Sequence, residues 1–193
     1  MSMDFILDEF PKEMQMDGGL QCILRPLEPR DEDALLRFFS QIPPHELLFI
    51  KHRVTEREVI HDWCANIDLF RNFPLLACTE NAVLGICTLH QQSGGWKRHI
   101  GRVSVHVHPA YRGRGLARQL ITDIIDVARQ SGLEKIEAEF VGPQESAMKM
   151  FSHLGFSQLF RLEDYVKDMQ AISHDYIMMG QDLITDEEYA GMG

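Results

Sequence analysis

Hydrophobic and polar positions change their period once within residues 103–128, the stretch with the clearest pattern in the chain. Over residues 103–108, valines alternate with polar residues, and this period of two predicts a strand with two unlike faces. Pro109 ends the strand because it has no N–H for the ladder. Beyond Gly115 the apolar positions recur every three or four residues, which predicts an amphipathic helix.

The same two periods elsewhere predict one α+β domain. Alternating segments predict strands at residues 20–27, 73–80, 83–90, 135–141, 156–167 and 174–182. Helical patterns cover residues 31–41 and 146–154, and a capping-box pattern at residues 55–58 is expected to open a helix that reaches residue 69. Strands interrupted by helices, with hairpins at both ends, imply a mixed sheet. We expect a single domain at residues 20–183, preceded by an arm without clear period (1–19) and followed by an acidic, mobile tail (184–193).

Composition narrows the class of protein. The 193 residues are 45% hydrophobic, enough for one sizeable core. No apolar run approaches the roughly 18 residues of a membrane span, and the first residues lack a secretory pattern. The four cysteines have no C-x-x-C spacing. These features favour a cytoplasmic protein with reduced thiols and no membrane association.

Net charge bears on the choice of partners. The formal charge is −10, which argues against nucleic-acid binding because that needs a basic face. Long-range attraction instead favours cationic partners, such as small amines or lysine side chains.

The turn between strand and helix carries the candidate chemistry, and it reads Tyr111-Arg112-Gly113-Arg114-Gly115-Leu116-Ala117. A helix start offers unpaired N–H groups and the positive end of a dipole. Glycine lets a phosphate approach the backbone closely, and Arg112, Arg114 and Arg118 add positive charge. The pattern predicts a pyrophosphate-binding turn, although the turn alone is equally consistent with a surface turn that bears solvated arginines.

Two other phosphate motifs do not fit this turn. A P-loop requires G-x-x-x-x-G-K-[ST], which does not occur in the chain. A Rossmann fingerprint requires a third glycine or alanine at the position of Arg118.

Several motifs together resemble one family. The residues Arg112-x-x-Gly115-x-Ala117, preceded by alternating valines, resemble the [QR]-x-x-G-x-[GA] acyl-CoA signature of the GNAT acetyltransferase superfamily. The strand at 135–141 and the helix at 146–156, which ends H-L-G-F, resemble the elements that follow in that family. The resemblance covers residues 20–183. It implies a mixed, mostly antiparallel sheet of six or seven strands, flanked by about four helices, with acetyl-CoA as the acyl donor.

In the family, the central strand and the next parallel strand splay apart and hold the pantetheine arm. The resemblance thus implies that backbone groups of Val105, His106 and Val107 face the pantetheine. It also implies that the turn holds the pyrophosphate, through Arg112, Gly113, Arg114, Gly115, Leu116, Ala117 and Arg118. Gln144 falls where many relatives carry a cofactor-contacting asparagine.

Acyl transfer to an amine needs a base, and Glu139 is the candidate, because its spacing of twelve residues before Phe151 resembles that of a basic glutamate in some relatives. A strand carboxylate facing solvent or an arginine is an equally weighted interpretation, and Glu137 could substitute. His106 and His108 could approach the acceptor, although a structural role or a solvated imidazole is favoured for each. A His-x-His pair with no third ligand nearby predicts no metal site.

Phe151 departs from the family pattern. Many relatives have a tyrosine there that protonates the coenzyme A thiolate. The resemblance implies that Phe151 contacts the cofactor, but phenylalanine cannot donate a proton. The leading hypothesis is an N-acetyltransferase that acts on a primary amine, either a protein lysine or a small amine. The alternatives are an acyl-CoA-binding regulatory module without catalysis and, more weakly, another kind of nucleotide-binding domain. Because dimers are common in the family, homodimer formation is left open.

Overall fold

The computed structural model describes residues 3–50 and 52–183. The eight strands of this part of the chain are β1 (Lys12–Gln15), β2 (Gln21–Pro26), β3 (Asn72–Cys78), β4 (Val83–His90), β5 (Ile100–Val107), β6 (Lys135–Val141), β7 (Ser157–Lys167) and β8 (Ser173–Asp182). The helices are α1 (Met3–Leu7), α2 (Glu32–Ser40), α3 (Pro44–Leu47), α4 (Arg57–Ala65), α5 (Leu116–Gln130) and α6 (Glu145–His153).

All eight strands form one mixed sheet, in the order β1-β2-β3-β4-β5-β6-β8-β7. Every neighbouring pair is antiparallel except β5 and β6, which are parallel. A parallel pair needs a long crossover, and the fifteen-residue helix α5 supplies it. The predicted α+β fold with a mostly antiparallel sheet is confirmed, with one strand more than the six or seven expected.

Two apolar cores lie on opposite faces of the sheet. The larger core packs the apolar side of α5, including Leu120 and Ile124, against β3 to β6, and it also takes in Phe151 of α6. The smaller core packs α2 and α4, through Phe38, Phe39 and Ile60, against the other face of β3 and β4. A central sheet buried on both faces explains why β3 is a nearly continuous apolar run.

The segment expected as an arm contains α1 and β1, and β1 extends the sheet at its edge by pairing with β2. Lys12 of β1 donates a hydrogen bond to the buried carboxylate of Asp123 on α5 at 3.0 Å. Burying the side chains of Ile6 and Met16 in the larger core also ties this segment to the domain.

The capping box expected at residues 55–58 is wrong. α4 begins at Arg57, its N-cap is Glu56, no side chain caps that end, and the helix ends at Ala65 rather than near residue 69. A capping box instead precedes α2, where Glu28 and Asp31 bond each other's backbone N–H groups. The other predicted elements have boundaries within about three residues of the predicted ones. The expected tail at 184–193 lies outside the described residues, and no helix in the described ranges is long and apolar enough to cross a membrane.

Candidate functional site

A gap opens in the sheet between β5 and β6. The two strands pair only at their first residues, Ile100 with Lys135, Gly101 with Ile136 and Arg102 with Glu137. Beyond this point β5 continues to Val107 and β6 to Val141 without pairing to each other. Gly101 allows tight packing at the closed end, since a Cβ there would lie 2.7 Å from Cδ1 of Leu133. The parallel strands therefore diverge towards their carboxyl ends.

Backbone groups of β5 line this gap. The N–H of His108 donates to the carbonyl of Leu84, beside the end of β4. Because polar groups alternate in direction along a strand, the carbonyl of Val107 faces the opposite side, towards β6, and so do the backbone groups of Val105. With β6 diverging, these groups lack strand partners there, and a ligand with amide groups could bind them.

The glycine turn lies where β5 leads into α5. Gly113 and Gly115 have φ of 70° and 78°, in the left-handed region that favours glycine. Gly115 is the N-cap of α5, and no side chain caps that end of the helix. The first N–H groups of a long helix are thus available to an anion. Leu116 is buried in the core, so that it can offer a ligand only its backbone.

The turn between β1 and β2 packs against this glycine turn. The N–H of Asp17 donates to the carbonyl of Arg114 at 3.3 Å, and a Cβ on Gly115 would lie 3.5 Å from Oδ2 of Asp17. A carboxylate therefore lies beside the predicted pyrophosphate turn, a neighbour that the sequence pattern did not indicate.

The three arginines of the turn point in different directions. The guanidinium of Arg114 lies 5.9 Å from the ring centroid of Tyr111, and Arg118 is exposed on the first turn of α5. Arg112 binds elsewhere, because its two Nη atoms donate to the two carboxylate oxygens of Glu46 on α3, each at 2.7 Å. Its Nε donates to the carbonyl of Val107 at 3.1 Å. The structure thus directs Arg112 away from the amides of the turn.

Glu139 lies on the polar face of the sheet, opposite α5, and is held by two partners. Its Oε1 accepts a hydrogen bond from the hydroxyl of Tyr176 on β8 at 2.8 Å and lies 2.8 Å from Nη1 of Arg102 on β5. Arg102 also approaches Glu137, with 4.0 Å between Nη2 and Oε2. Burial, together with the hydrogen bond to Glu139, raises the pKa of Tyr176 well above that of a free phenol. Tyr176 therefore stays a hydrogen-bond donor to a carboxylate.

The two histidines of β5 have different surroundings. The ring of His106 lies 6.0 Å from that of Phe39, centroid to centroid, on the side of α2. Burial lowers the pKa of His106 to about 4, so that the imidazole is neutral near pH 7. Nδ1 of His108 accepts a hydrogen bond from the N–H of Ala110 and caps the short turn after β5.

Gln144 and Phe151 have structural partners. Oε1 of Gln144 accepts a hydrogen bond from the N–H of Val141 at 2.9 Å, which closes the turn between β6 and α6. Phe151 is only 2% exposed, and its ring lies 5.0 Å from that of Phe140 and 4.9 Å from that of Phe156. Contact of either side chain with a cofactor stays a prediction, and for Phe151 the burial weighs against it.

Besides Asp17, three residues at this site were not predicted from the sequence: Arg102, Tyr176 and Glu46. Arg102 had a signal, since it shares the period-two polar face of β5 with Ser104 and His106. For Tyr176, the only signal was its position in the alternating pattern of β8. Glu46 had none, because its contact with Arg112 joins residues 66 positions apart. In the described ranges no group of three or more His, Cys, Asp or Glu side chains is arranged to hold a metal ion.

Comparison with known proteins defines the class. A model of the Acetyltransferase (GNAT) family matches residues 34–156, more than half of the chain, and spans the gap and the glycine turn. The chain therefore belongs to the GNAT acetyltransferase family.

Two curated relatives share about a third of their aligned residues with the chain. The L-methionine sulfoximine/L-methionine sulfone acetyltransferase of Salmonella typhimurium is 32% identical over 90 residues, which are 44% of this chain and 51% of that protein. The L-amino acid N-acyltransferase MnaT of Escherichia coli is 33% identical over 89 residues, 44% and 50% of the two chains. The chain spans about half the length of the curated relatives it matches.

Solved structures show the same fold at low identity. The GNAT domain of PAT from S. lividans superposes with a TM-score of 0.75 and 19% identity, over 89% of this chain and 96% of that one. YncA from Salmonella typhimurium, solved with its cofactor acetyl-CoA, gives a TM-score of 0.72 and 21% identity, over 85% and 95%.

Proposed function

We propose that the protein transfers an acetyl group from acetyl-CoA to a primary amine by direct attack within a ternary complex. The observation that carries the proposal is the gap between β5 and β6. The glycine turn lies beyond the open end of this gap, and Glu139 lies on β6, on the polar face of the sheet. Family membership makes acetyl-CoA the expected donor. The YncA structure with acetyl-CoA supports the same donor.

The residues present fit an acyl-CoA on the donor side. The uncapped amides at the start of α5 suit a pyrophosphate. Backbone groups of Val105 face the gap and could pair with the amides of a pantetheine arm, while Arg112 already binds the carbonyl of Val107. A backbone N–H of β5 near Val105 or Val107 is the candidate to stabilise the thioester oxyanion.

The polar face of the sheet, opposite α5, is here called the acceptor side. On this side, Glu139 would take a proton from the attacking amine, directly or through water. The amine nitrogen forms a bond to the thioester carbon, the carbon–sulfur bond breaks, and the sulfur leaves as a thiolate that takes a proton from water or from another group, since Phe151 has none to give. Tyr176 and Arg102 hold the carboxylate of Glu139 on the polar face.

The acceptor we propose is a cationic amine, either a lysine side chain or a small molecule such as an amino acid. Glu46, Glu137 and Glu139 lie on the acceptor side, and the whole chain carries a charge of −10. The buried Nε of Arg102 has no hydrogen-bond partner among the described residues and could donate to an acceptor oxygen. Two curated relatives act on amino acids by their names, which supports the small-molecule option.

The test combines binding with turnover. Thermal stability is measured with and without acetyl-CoA, and free-thiol release is then measured with amino acids, polyamines and lysine peptides. Stabilisation with thiol release supports the enzyme and identifies the acceptor class. Stabilisation without release from any amine favours an acyl-CoA-binding module, an alternative that the buried phenylalanine at position 151 keeps open. Stronger stabilisation by ATP or NAD than by acetyl-CoA would contradict both.

A further inference from the structure

The ion pair between Arg112 and Glu46 joins the two sides of the proposed site. Arg112 belongs to the glycine-turn motif, and Glu46 belongs to α3, which connects the region of α2 to that of α4. The guanidinium uses all three of its nitrogens in this structure, two on Glu46 and one on the carbonyl of Val107. Such bidentate contacts fix orientation as well as distance.

Residues 43–50, here called the crossing segment, pass over the polar side of the gap. At one point the crossing segment binds Arg112 beside the end of β5 through Glu46. At another, the ring of Phe49 packs edge-on at 5.1 Å against that of His174 on β8. Leu47 and Ile50 pack against the smaller core. The crossing segment is thus tied to both sides of the gap that an acceptor would enter.

Nothing within the crossing segment explains this placement by itself. α3 is a single helical turn of four residues, and it contains no fully buried residue. One helical turn is marginal in water without tertiary contacts. Its position must therefore come from its contacts with the rest of the domain, among which the pair with Arg112 is a charged one.

We propose that the Arg112–Glu46 pair positions the crossing segment across the acceptor side of the gap, so that Glu46 determines affinity for the amine acceptor and not for CoA. Glu46 is a positioning residue in this scheme, since it acts through the crossing segment. The effect on the amine KM rests on the proposed function, whereas the effect on the position of the crossing segment can be measured without it.

The structural test is hydrogen exchange of the full chain, which needs neither CoA nor an amine. Glu46→Gln keeps the size of the side chain and removes the charge, so the amides of residues 45–50, which follow the two prolines of the segment, are expected to exchange about fivefold faster, the scale of a partly exposed ion pair. Glu58→Gln is the matched control. Glu58 is exposed on α4, and its substitution removes the same charge away from the crossing segment. Equal exchange over residues 45–50 in both variants overturns the proposal.

The kinetic test separates the two substrates. Glu46→Gln should raise KM for the amine about fivefold and leave the Kd for CoA, measured by calorimetry, within about twofold of the parent. The double variant Glu46→Gln/Arg112→Gln should have an amine KM no higher than that of the worse single variant, because each substitution removes the same Arg112–Glu46 ion pair. Weaker CoA binding by Glu46→Gln with an unchanged amine KM, or fully additive effects, overturns the proposal. If no amine is acetylated by the parent, the proposed function fails and the exchange measurement alone decides.

Discussion

The hydroxyl of Tyr176 donates a hydrogen bond to Oε1 of Glu139 at 2.8 Å, across the β6–β8 pair. Tyr176 pairs with Val141, which lies two residues beyond Glu139 on β6. The side chains of Tyr176 and Glu139 therefore lie on the same face of the sheet. Its ring packs on those of Phe160 and Tyr165, which holds the hydroxyl in place. The candidate base is therefore oriented by a side chain that lies on a different strand.

Tyr176→Phe should keep this packing and remove the donor. A hydrogen bond to a charged group contributes about 1.5–3 kcal/mol, so kcat/KM should fall by roughly 10- to 100-fold. Tyr165→Phe is the control, since it removes a hydroxyl from the exposed ring stacked on Tyr176. Steady-state kinetics make the comparison, and an equal kcat/KM in the two variants would contradict the orienting role.

Glu139→Gln should lower kcat/KM by roughly 10²- to 10⁴-fold, the usual contribution of a general base, with the largest loss at low pH. Glu137→Gln is a matched control on the same strand and face, and it too removes a carboxylate near Arg102. Steady-state kinetics of the two variants over a range of pH make the comparison. A greater loss in Glu137→Gln would transfer the role of base to Glu137.

Much of the fold could be predicted from local patterns. The alternation of β5 and the helical period of α5 are local properties that tertiary packing strengthens, and both elements were predicted within about three residues of their observed bounds. β1 was missed because its four residues, K-E-M-Q, are short and mostly polar. β1 is stabilised by pairing with β2 and by the hydrogen bond that Lys12 donates to Asp123, a contact between residues 111 positions apart. No local pattern encodes such a contact.

The site was harder to predict than the fold. The glycine turn carries its own signal, since left-handed φ and a helix start both leave marks in the sequence. The direction of Arg112 does not, because an arginine beside a phosphate turn and one paired with Glu46 look alike in sequence. Glu139 as the base is a prediction from spacing, whereas the contacts that Tyr176 and Arg102 make with it depend on which strands become neighbours.

Gly115→Glu should abolish CoA binding. The new side chain would start about 3.5 Å from the carboxylate of Asp17 and place a second negative charge at the turn, so that CoA affinity should fall more than about 100-fold. Gly132→Glu is the control for backbone strain, because Gly132 also has φ of 78° and a Cβ there would meet no atom within 4 Å. Calorimetric titration with CoA makes the test. Equal affinity in the two variants would show that the turn does not bind CoA.

Phe151→Tyr should destabilise the protein without speeding turnover. The ring is 2% exposed between Phe140 and Phe156, so a hydroxyl there would be buried without a partner at a cost of about 1–3 kcal/mol. Unfolding midpoints and kcat are the measurements. Faster turnover would contradict this expectation and indicate that protonation of the thiolate limits the rate and that position 151 can reach it.

His106 should make the protein less stable as the pH falls. Burial lowers the pKa of His106 to about 4, whereas a histidine in the unfolded chain has a pKa of about 6.5. Below pH 6.5 the unfolded chain binds the proton first, so the free energy of unfolding decreases until the pH reaches about 4. From pH 7 to pH 4.5 this one group should remove about 2 kcal/mol.

His106→Gln cannot take up this proton, so its stability should fall less than that of the parent over the same interval, by about 2 kcal/mol. Urea unfolding at pH 7 and pH 4.5 gives the two differences, and carboxylates that titrate in both proteins cancel in the comparison. His153→Gln, at an exposed position on α6, is the control and should follow the parent at both pH values. If His106→Gln also follows the parent, His106 takes up its proton in the folded protein as readily as in the unfolded chain and is not shielded behind Phe39.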